Sequence, residues 1–271
     1  MKKIKLLISF LFFLNCTKTN TLNIDISDDL IIPKKYVVQK TNENLSIDGF
    51  DKEIDWSKIN FSEEFTDIEN NITPKKKTRM KMLWDDNYLY VFAKLWDDHI
   101  WGDISNRDDV IYYNNDFEIF IDPDGDTMNY GEIEINALGT EWDLFLNKPY
   151  RLGGKAQTNW NIKGLKSSVK INGTINNPND IDNYWTVEFA IPLIEISKLK
   201  KNNSELPVHG DQWRINFSRV QWEYDLKNGI YFRKKVGNKY LPEYNWVWSR
   251  QGKINMHIPE NWGFIQFNDK M

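Results

Sequence analysis

Hydrophobic and polar positions alternate along the chain in short runs, separated by clusters of Asn, Asp, Gly and Pro. Alternation with a period of two is typical of strands that bury one face, and frequent turn residues are typical of an all-β domain. The runs that predict strands are 35–39, 79–84, 88–96, 116–122, 131–137, 141–146, 167–171, 184–191, 213–222 and 263–267. Only 193–201 predicts a helix. We therefore expect one domain over 34–268, a β-sandwich of two packed antiparallel sheets with a single short helix.

The stretch DFEIFIDPDGDTMNYGEIEIN predicts a β-hairpin with one apolar and one acidic face. Its alternation places Glu118 roughly opposite Glu134 on the acidic face. Like charges that face each other destabilise a sheet, so this face needs a partner: water, a cation, Arg107, Arg219 or a ligand rich in hydroxyl groups. Three interpretations stay open, namely a solvated acidic face, a sugar-binding face and a metal cluster.

The middle of the hairpin, DPDGD, spaces Asp122, Asp124 and Asp126 like the first ligands of an EF-hand. An EF-hand also needs Gly at its sixth position and Glu at its twelfth, where this chain has Thr127 and Ile133. The flanking segments predict strands, whereas an EF-hand needs helices. The segment is therefore interpreted as a hairpin turn, and weak calcium binding by the three aspartates is retained as a prediction.

The first residues, MKKIKLLISFLFFLNC, combine a basic start with an apolar run that is too short to span a bilayer. This pattern predicts a signal peptide over 1–16, with Cys16 as the lipidated first residue of a mature lipoprotein, followed by a tether over 17–33. The alternative is ordinary signal cleavage nearby. Either way, we expect an exported protein, anchored in the cell envelope or secreted. With one cysteine, an internal disulfide cannot form.

Charge and composition limit the kinds of molecule that the protein is expected to bind. Removal of residues 1–15, which hold three lysines, changes the formal charge from −4 to −7. An acidic surface argues against nucleic acid and anionic membranes as partners, so we expect membrane contact only through the lipid at Cys16. The chain also contains 12 Trp, 12 Tyr and 15 Phe, a composition that favours strands and suits stacking on flat ligands.

Several of these runs together resemble the family 9 carbohydrate-binding modules and their DOMON-like relatives. The segments that carry the resemblance span roughly 47–267 in family order: KMLWDDNYLYVFAKLWDD, DFEIFIDPDGDTMNYGEIEINALGTEWD, WTVEFAIP, GDQWRINFSRV and HIPENWGFIQF. The resemblance implies a β-sandwich that holds an oligo- or polysaccharide without cleaving it. It further implies that two tryptophans sandwich a sugar, that polar side chains bind its hydroxyls and that calcium ions brace the loops.

The stacking positions of the resembling family fall on Tyr112 and on Met256 beside His257. The carboxylate that binds sugar hydroxyls matches Glu118, and Glu134 stands where sugar-binding members have arginine. The predicted ligand-binding residues are Tyr112, Glu118, Glu134, Asn136, Asn216, Arg219 and His257.

The leading functional hypothesis is an exported carbohydrate-binding protein with no catalytic residue of its own, which supports separate polysaccharide-degrading enzymes. A second hypothesis is a haem-binding electron-transfer module that uses Met256 or His257. A third is a glycoside hydrolase in which Glu118 and Glu134 act as a carboxyl pair. The three histidines lack the spacing of a catalytic zinc site.

Overall fold

Strands form nearly all of the regular structure in the computed structural model, which describes residues 30–202 and 204–270. The strands are β1 (Lys35–Lys40), β2 (Thr66–Asp67), β3 (Thr78–Trp84), β4 (Tyr88–Trp96), β5 (Asp116–Asp122), β6 (Tyr130–Asn136), β7 (Glu141–Leu146), β8 (Ala156–Gln157), β9 (Lys166–Asn172), β10 (Tyr184–Pro192), β11 (Gln212–Gln221), β12 (Tyr224–Lys227), β13 (Ile230–Arg233), β14 (Lys235–Val236), β15 (Lys239–Tyr240), β16 (Tyr244–Val247) and β17 (Gly263–Asn268). The helices are α1 (Ile54–Lys58) and α2 (Leu193–Ser197), and 3-10 turns lie at Ile111–Tyr113, Tyr150–Leu152 and Pro259–Asn261. The all-β prediction is confirmed.

One continuous path of paired strands runs β8-β7-β6-β5-β11-β17-β1-β3-β4-β10-β9, and β16 pairs with β11 and β2 beside it. The pairs along this path are antiparallel except around β1, which lies parallel to both β17 and β3. β1 is thus a local exception to the predicted antiparallel pairing. Parallel neighbours cannot be joined by a tight hairpin, and β1 reaches both partners through long connections.

The two halves of the curled path pack face to face as the layers of a sandwich. Phe117 on β5 stacks on Phe189 on β10 with ring centroids 6.5 Å apart, although these strands are far apart in sheet order. Ile119 and Ile121 also belong to this core. Glu118 and Phe120 point away from it, because successive side chains of a strand alternate between its faces. The predicted inner and outer faces of β5 are confirmed.

The DPDGD segment forms the turn between β5 and β6. Both carboxylate oxygens of Asp122 accept backbone N–H bonds, one from Gly125 at 2.9 Å and one from Thr127 at 2.8 Å. Gly125 has φ +68°, a left-handed conformation that glycine adopts without steric cost. The prediction of a turn rather than an EF-hand is confirmed.

Two short helices occur where the sequence predicted one. α2 ends at Ser197, four residues earlier than predicted, because the chain then tightens into turns. The backbone N–H of Lys201 donates to Asp124 at 2.9 Å and fixes this segment against the β5–β6 turn. α1, β16 and the two hairpins β12–β13 and β14–β15 were not predicted.

The predicted signal peptide, Cys16 and the tether as far as residue 29 lie outside the described residues. Within 30–202 and 204–270, no helix has both the length and the apolar character needed to cross a membrane.

Candidate functional site

A cleft of about 410 Å³ lies on the outer face of β5, β6 and β7. Its lining is unusually rich in carboxyl groups and aromatic rings. The acidic residues are Glu118, Glu132, Glu134 and Glu243, and the rings are those of Tyr112, Phe120, Trp142, Tyr150 and His257. Four predicted ligand residues, Tyr112, Glu118, Glu134 and His257, are therefore brought together in one cleft.

Glu118, Glu132 and Glu134 form what we call the acidic floor of the cleft. Glu118 on β5 lies directly opposite Glu134 on β6 in the strand register, which confirms the predicted cross-strand pair. The exposed fractions of the three side chains are 5%, 5% and 2%. Water therefore screens these groups poorly, and their mutual repulsion is stronger than that of an exposed acidic pair.

Burial and repulsion favour the protonated form of these carboxyls. Burial raises the pKa of Glu118 to about 7. Burial and the nearby negative charge of Glu118 hold the pKa values of Glu132 and Glu134 well above their ordinary range. Burial lowers the pKa of His257 to about 4, so its ring is neutral at pH 7 and brings no positive charge. Near neutral pH the floor thus presents both hydrogen-bond acceptors and O–H donors.

Tyr112 stands at the rim of the cleft, on the 3-10 turn Ile111–Tyr113. Its backbone N–H donates to Glu134 at 3.0 Å, and its backbone carbonyl accepts the indole N–H of Trp222 at 2.8 Å. Its ring is 39% exposed and lies 6.5 Å from that of Trp142, with 24° between the planes. The turn is thus fixed while the ring stays available for stacking.

Tyr150 adds a second exposed ring to the cleft, with 46% of its surface accessible. Its ring packs edge-on against His257 at a centroid distance of 4.5 Å. The imidazole is held in turn by a hydrogen bond between its Nδ1 and the Tyr130 hydroxyl, at 3.1 Å. His257 therefore supports an aromatic side of the cleft as well as lining it.

Trp142 pairs with Glu134 in the β6–β7 register, and its indole Nε1 is buried without a hydrogen-bond partner among the described residues. Trp142 packs in a buried cluster and also lines the cleft. A buried indole N–H usually finds an acceptor, and this one is closed off from solvent without one.

The sequence prediction did not include Glu132, Trp142, Tyr150 or Glu243 among the ligand residues. Alternation along β6 already placed Glu132 on the same face as Glu134, so that signal was present. Tyr150 and Glu243 lie outside the strands, where no alternation along the sequence indicates the direction of a side chain.

Asn136, Asn216 and Arg219 are fully buried and lie outside the lining of the cleft, unlike the other four predicted ligand residues. Asn136 fastens a loop, because its amide donates to the Ile104 carbonyl at 2.8 Å. Asn216 donates to the Ser249 carbonyl at 2.8 Å. Arg219 forms an ion pair with buried Asp97 at 2.9 Å. These polar groups hold the scaffold together, and strand alternation alone could not distinguish that role from ligand contact.

Asp122, Asp124 and Asp126 bring carboxylate oxygens within 4.8 Å of one another at the β5–β6 turn. Both oxygens of Asp122 already accept backbone hydrogen bonds, as described above. Asp124 and Asp126 are exposed. Calcium binding at this turn stays a prediction.

The haem hypothesis depended on Met256 and His257. Met256 is 7% exposed and packs in the cluster that contains Trp262, while His257 Nδ1 is engaged by Tyr130. Met256 thus contributes to the apolar packing beneath the cleft, and His257 supports the ring of Tyr150.

A family model described as carbohydrate family 9 binding domain-like matches residues 47–216, more than half of the chain. Among curated proteins, an exoglucanase, XynX, from Acetivibrio thermocellus is 29% identical over 120 residues. The match covers 44% of this chain and 9% of the exoglucanase, so the chain corresponds to a small part of that enzyme.

Solved structures with the same fold include a family 9 carbohydrate-binding module from Caldicellulosiruptor kristjanssonii in complex with cellotriose. Its TM-score is 0.57 at 17% identity, over 88% of this chain and 95% of that one. The same module in complex with glucose gives the same score and identity, over 88% of this chain and 97% of that one. A candidate carbohydrate-binding protein from Bacteroides uniformis ATCC 8492 has a TM-score of 0.62 at 16% identity, over 86% and 99% of the two chains.

Proposed function

The chain belongs to the carbohydrate family 9 binding domain-like family, and on that premise we propose that it binds carbohydrate in the cleft above the acidic floor. We propose further that it does so without cleaving its ligand, outside the cytoplasm, and in support of separate polysaccharide-degrading enzymes. The observation that carries this proposal is the joint presence of exposed Tyr112 and Tyr150 beside three buried carboxyls in one open cleft.

The side chains of the cleft fit the chemistry of a sugar ring. The apolar C–H face of a pyranose stacks on an aromatic ring, which Tyr112 and Tyr150 supply. Sugar hydroxyls donate to and accept from the carboxyls of the acidic floor. Each such bond replaces one to water, so the expected affinity for a short oligosaccharide is modest.

The charge of the cleft favours neutral sugars over acidic ones. Glu243 joins the acidic floor in the lining, and within the described residues no lysine or arginine forms a salt bridge with these four carboxyls. A uronate or a sulfated sugar would bring a further negative charge into this field. The relatives described above, solved with cellotriose and with glucose, support neutral glucose-based ligands as the first choice.

Isothermal titration of the purified full-length chain with cello-oligosaccharides, xylo-oligosaccharides and galacturonate oligomers tests the proposal. We expect heat of binding with a neutral series and none with the galacturonate series. Tyr112→Ala should lower the affinity about tenfold through the loss of stacking. Tyr240→Ala, which removes a comparably exposed ring outside the cleft, should leave the affinity unchanged. The absence of binding to every neutral glycan would refute the proposal.

The placement of the carboxyls favours binding over hydrolysis. A glycosidase uses an acid and a second carboxylate that flank the scissile bond. Glu118 and Glu134 are direct neighbours on one face of the sheet, so both approach a ligand from the same side. A reducing-end assay on the bound oligosaccharide distinguishes the two functions. Release of reducing ends by the wild-type chain, lost in Glu118→Gln, would establish a hydrolase instead.

We propose that the chain is exported and anchored through a lipid on Cys16, since a basic start and a short apolar run precede this cysteine. One lipid chain with few other membrane contacts gives weak anchoring, and more than one acyl chain gives stable anchoring. Metabolic labelling with a palmitate analogue should mark the wild-type chain in the membrane fraction. Cys16→Ser should abolish the label, and an unlabelled wild-type chain would contradict the anchor.

A further inference from the structure

A second cavity, of about 580 Å³, lies beside the hairpins β12–β13 and β14–β15, and we call it the hairpin cavity. Three of its lining residues are basic, namely Lys227, Arg233 and Lys235. Tyr113 and Phe232 add two exposed rings to the same lining. Both hairpins follow residue 216 and so lie outside the residues that the family model matches. The family match therefore does not account for this surface.

Arg233 is held among aromatic rings at the hairpin cavity. Its Cζ lies 4.2 Å from the ring centroid of Tyr113 and 4.8 Å from that of Trp222. Contact with ring faces holds a guanidinium by cation–π attraction and leaves its N–H donors for hydrogen bonds. Within the part of the chain that the structure describes, no carboxylate forms a salt bridge with Arg233. The cavity thus contains a positioned guanidinium that has no anionic partner in the described structure.

The charge of the hairpin cavity is opposite to that of the cleft. Lys227 and Lys235 are exposed, and neither forms a salt bridge with a described residue. The lining also holds two carboxylates, of which Asp103 already accepts the Asn114 amide at 2.7 Å and Asp225 is exposed to solvent. Cations therefore outnumber carboxylates here, whereas the cleft has four carboxyls and neither lysine nor arginine in its lining. An anionic group is attracted to the hairpin cavity and repelled by the cleft.

The cleft and the hairpin cavity meet at the 3-10 turn Ile111–Tyr113. Tyr112 lines the cleft and Tyr113 lines the hairpin cavity, and their ring centroids are only 4.9 Å apart. Trp222 contacts both sides of this boundary, because it donates to the Tyr112 carbonyl and packs against Arg233. One oligosaccharide of a few units can therefore reach both sites.

We propose that the hairpin cavity binds a uronate carried as a branch by a neutral oligosaccharide whose main chain lies in the cleft. This inference rests on the proposed function, because the cleft has to hold the neutral chain. The planar fork of donors on Arg233 matches the two oxygens of a carboxylate, and the ring of Phe232, 46% exposed, offers an apolar contact to the sugar. A galacturonate oligomer lacks this fit, since its own main chain would bring carboxylates over the acidic floor.

Three xylo-oligosaccharides of equal length test the inference by calorimetry with the full-length chain. The first is unbranched, the second carries one glucuronate branch, and the third carries the methyl ester of that branch. We expect the glucuronate form to bind about tenfold more tightly than the unbranched form. The methyl ester keeps the shape of the branch without its charge, so it should bind like the unbranched form. Added salt should reduce the gain, because the hairpin cavity is open to solvent.

Variants locate the contact. Arg233→Gln should abolish the tenfold gain and leave the affinity for the unbranched chain unchanged, which also shows that the cleft is folded. Arg233→Lys should retain part of the gain, because it keeps the charge but loses the planar fork. Lys239→Gln removes a positive charge from β15 outside the lining of the cavity, so the gain should persist.

Equal affinity for the glucuronate and unbranched forms would overturn the inference and leave the proposed function standing. A gain that persists in Arg233→Gln, or that Lys239→Gln abolishes to the same extent, would also overturn it. Absence of binding by all three xylo-oligosaccharides would refute the inference as well. Binding of cello-oligosaccharides by the same preparation would then still support the proposed function.

Discussion

At the scale of the residue, the same side-chain types serve two different purposes in this molecule. Glu134 and Arg219 are both buried ionisable residues, yet only Glu134 lines the cleft. Arg219 donates to the Trp96 carbonyl at 3.0 Å and to the Asp97 carboxylate at 2.9 Å, which ties β11 to the end of β4. Burial and charge alone therefore do not identify a ligand contact; the direction of the side chain and its existing partners do.

Arg219→Met is expected to destabilise the fold by about 3 kcal/mol, because Asp97 would lose its buried arginine and keep Lys76 as its ion-pair partner. The affinity of the folded fraction for sugar should be unchanged. Urea denaturation measures the loss of stability, and calorimetry measures the affinity for sugar. Arg79→Met, which breaks a more exposed pair with Glu64, serves as the control and should cost under about 1 kcal/mol. A clear loss of sugar affinity in Arg219→Met would restore the arginine as a ligand contact.

At the scale of the element, apolar runs bounded by turn residues could be predicted closely, and loops could not. β4, β5 and β7 begin and end where the sequence predicted, because clusters of Asn, Asp, Gly and Pro flank their apolar runs. The hairpins β12–β13 and β14–β15 carry exposed apolar residues such as Phe232 and Val236, so no periodic burial signals them. In the candidate site, the sequence could locate the acidic face of β5 and β6. It could not locate Tyr150 or Glu243, which reach the cleft from loops.

Gly263, the first residue of β17, lies so close to neighbouring atoms that a side chain at this position would not fit. A Cβ at this position would lie 2.3 Å from the Trp248 ring and 2.8 Å from the Lys34 carbonyl oxygen. Gly263→Ala should therefore destabilise the protein by about 3 kcal/mol, since both neighbours belong to the packed scaffold. Gly139→Ala meets no atom within 4 Å and changes only a residue with φ +81°, so it should cost about 1 kcal/mol. Chemical denaturation of both variants checks this order, and equal costs would contradict it.

At the scale of the whole molecule, buried carboxyls outside the cleft also tie stability to pH. Glu188 on β10 is fully buried and accepts the backbone N–H groups of Asp48 and Gly49 at 3.0 Å and the Trp56 indole N–H at 3.1 Å. Burial nevertheless raises its pKa to about 7. The folded protein therefore binds more protons than the unfolded chain between about pH 4.5 and pH 7, and its stability falls as pH rises through this window.

Glu188→Gln should reduce that pH dependence by about 2 kcal/mol between pH 4.5 and pH 7.5, because the amide does not titrate. The quantity to compare is the change in unfolding free energy between the two pH values. The Gln side chain has one acceptor oxygen fewer than Glu, which lowers stability equally at every pH. Urea denaturation in EDTA at pH 4.5 and at pH 7.5 measures this change in unfolding free energy. An unchanged pH dependence in the variant would show that Glu188 is ionised in the folded protein throughout.

The position of β1 between β17 and β3 has a consequence for the order of events during folding. Gln39 pairs with Asn268 on one side and with Leu83 on the other, so the sheet is continuous only when segments from opposite ends of the described chain have met. Contacts between such distant segments form slowly, because a long loop must close first. After β1 has left the ribosome, more than two hundred further residues must be synthesised before β17, the partner strand of β1, is available. The sandwich can therefore be completed only after synthesis has passed β17, and until then the growing chain lacks the strand that joins its two ends.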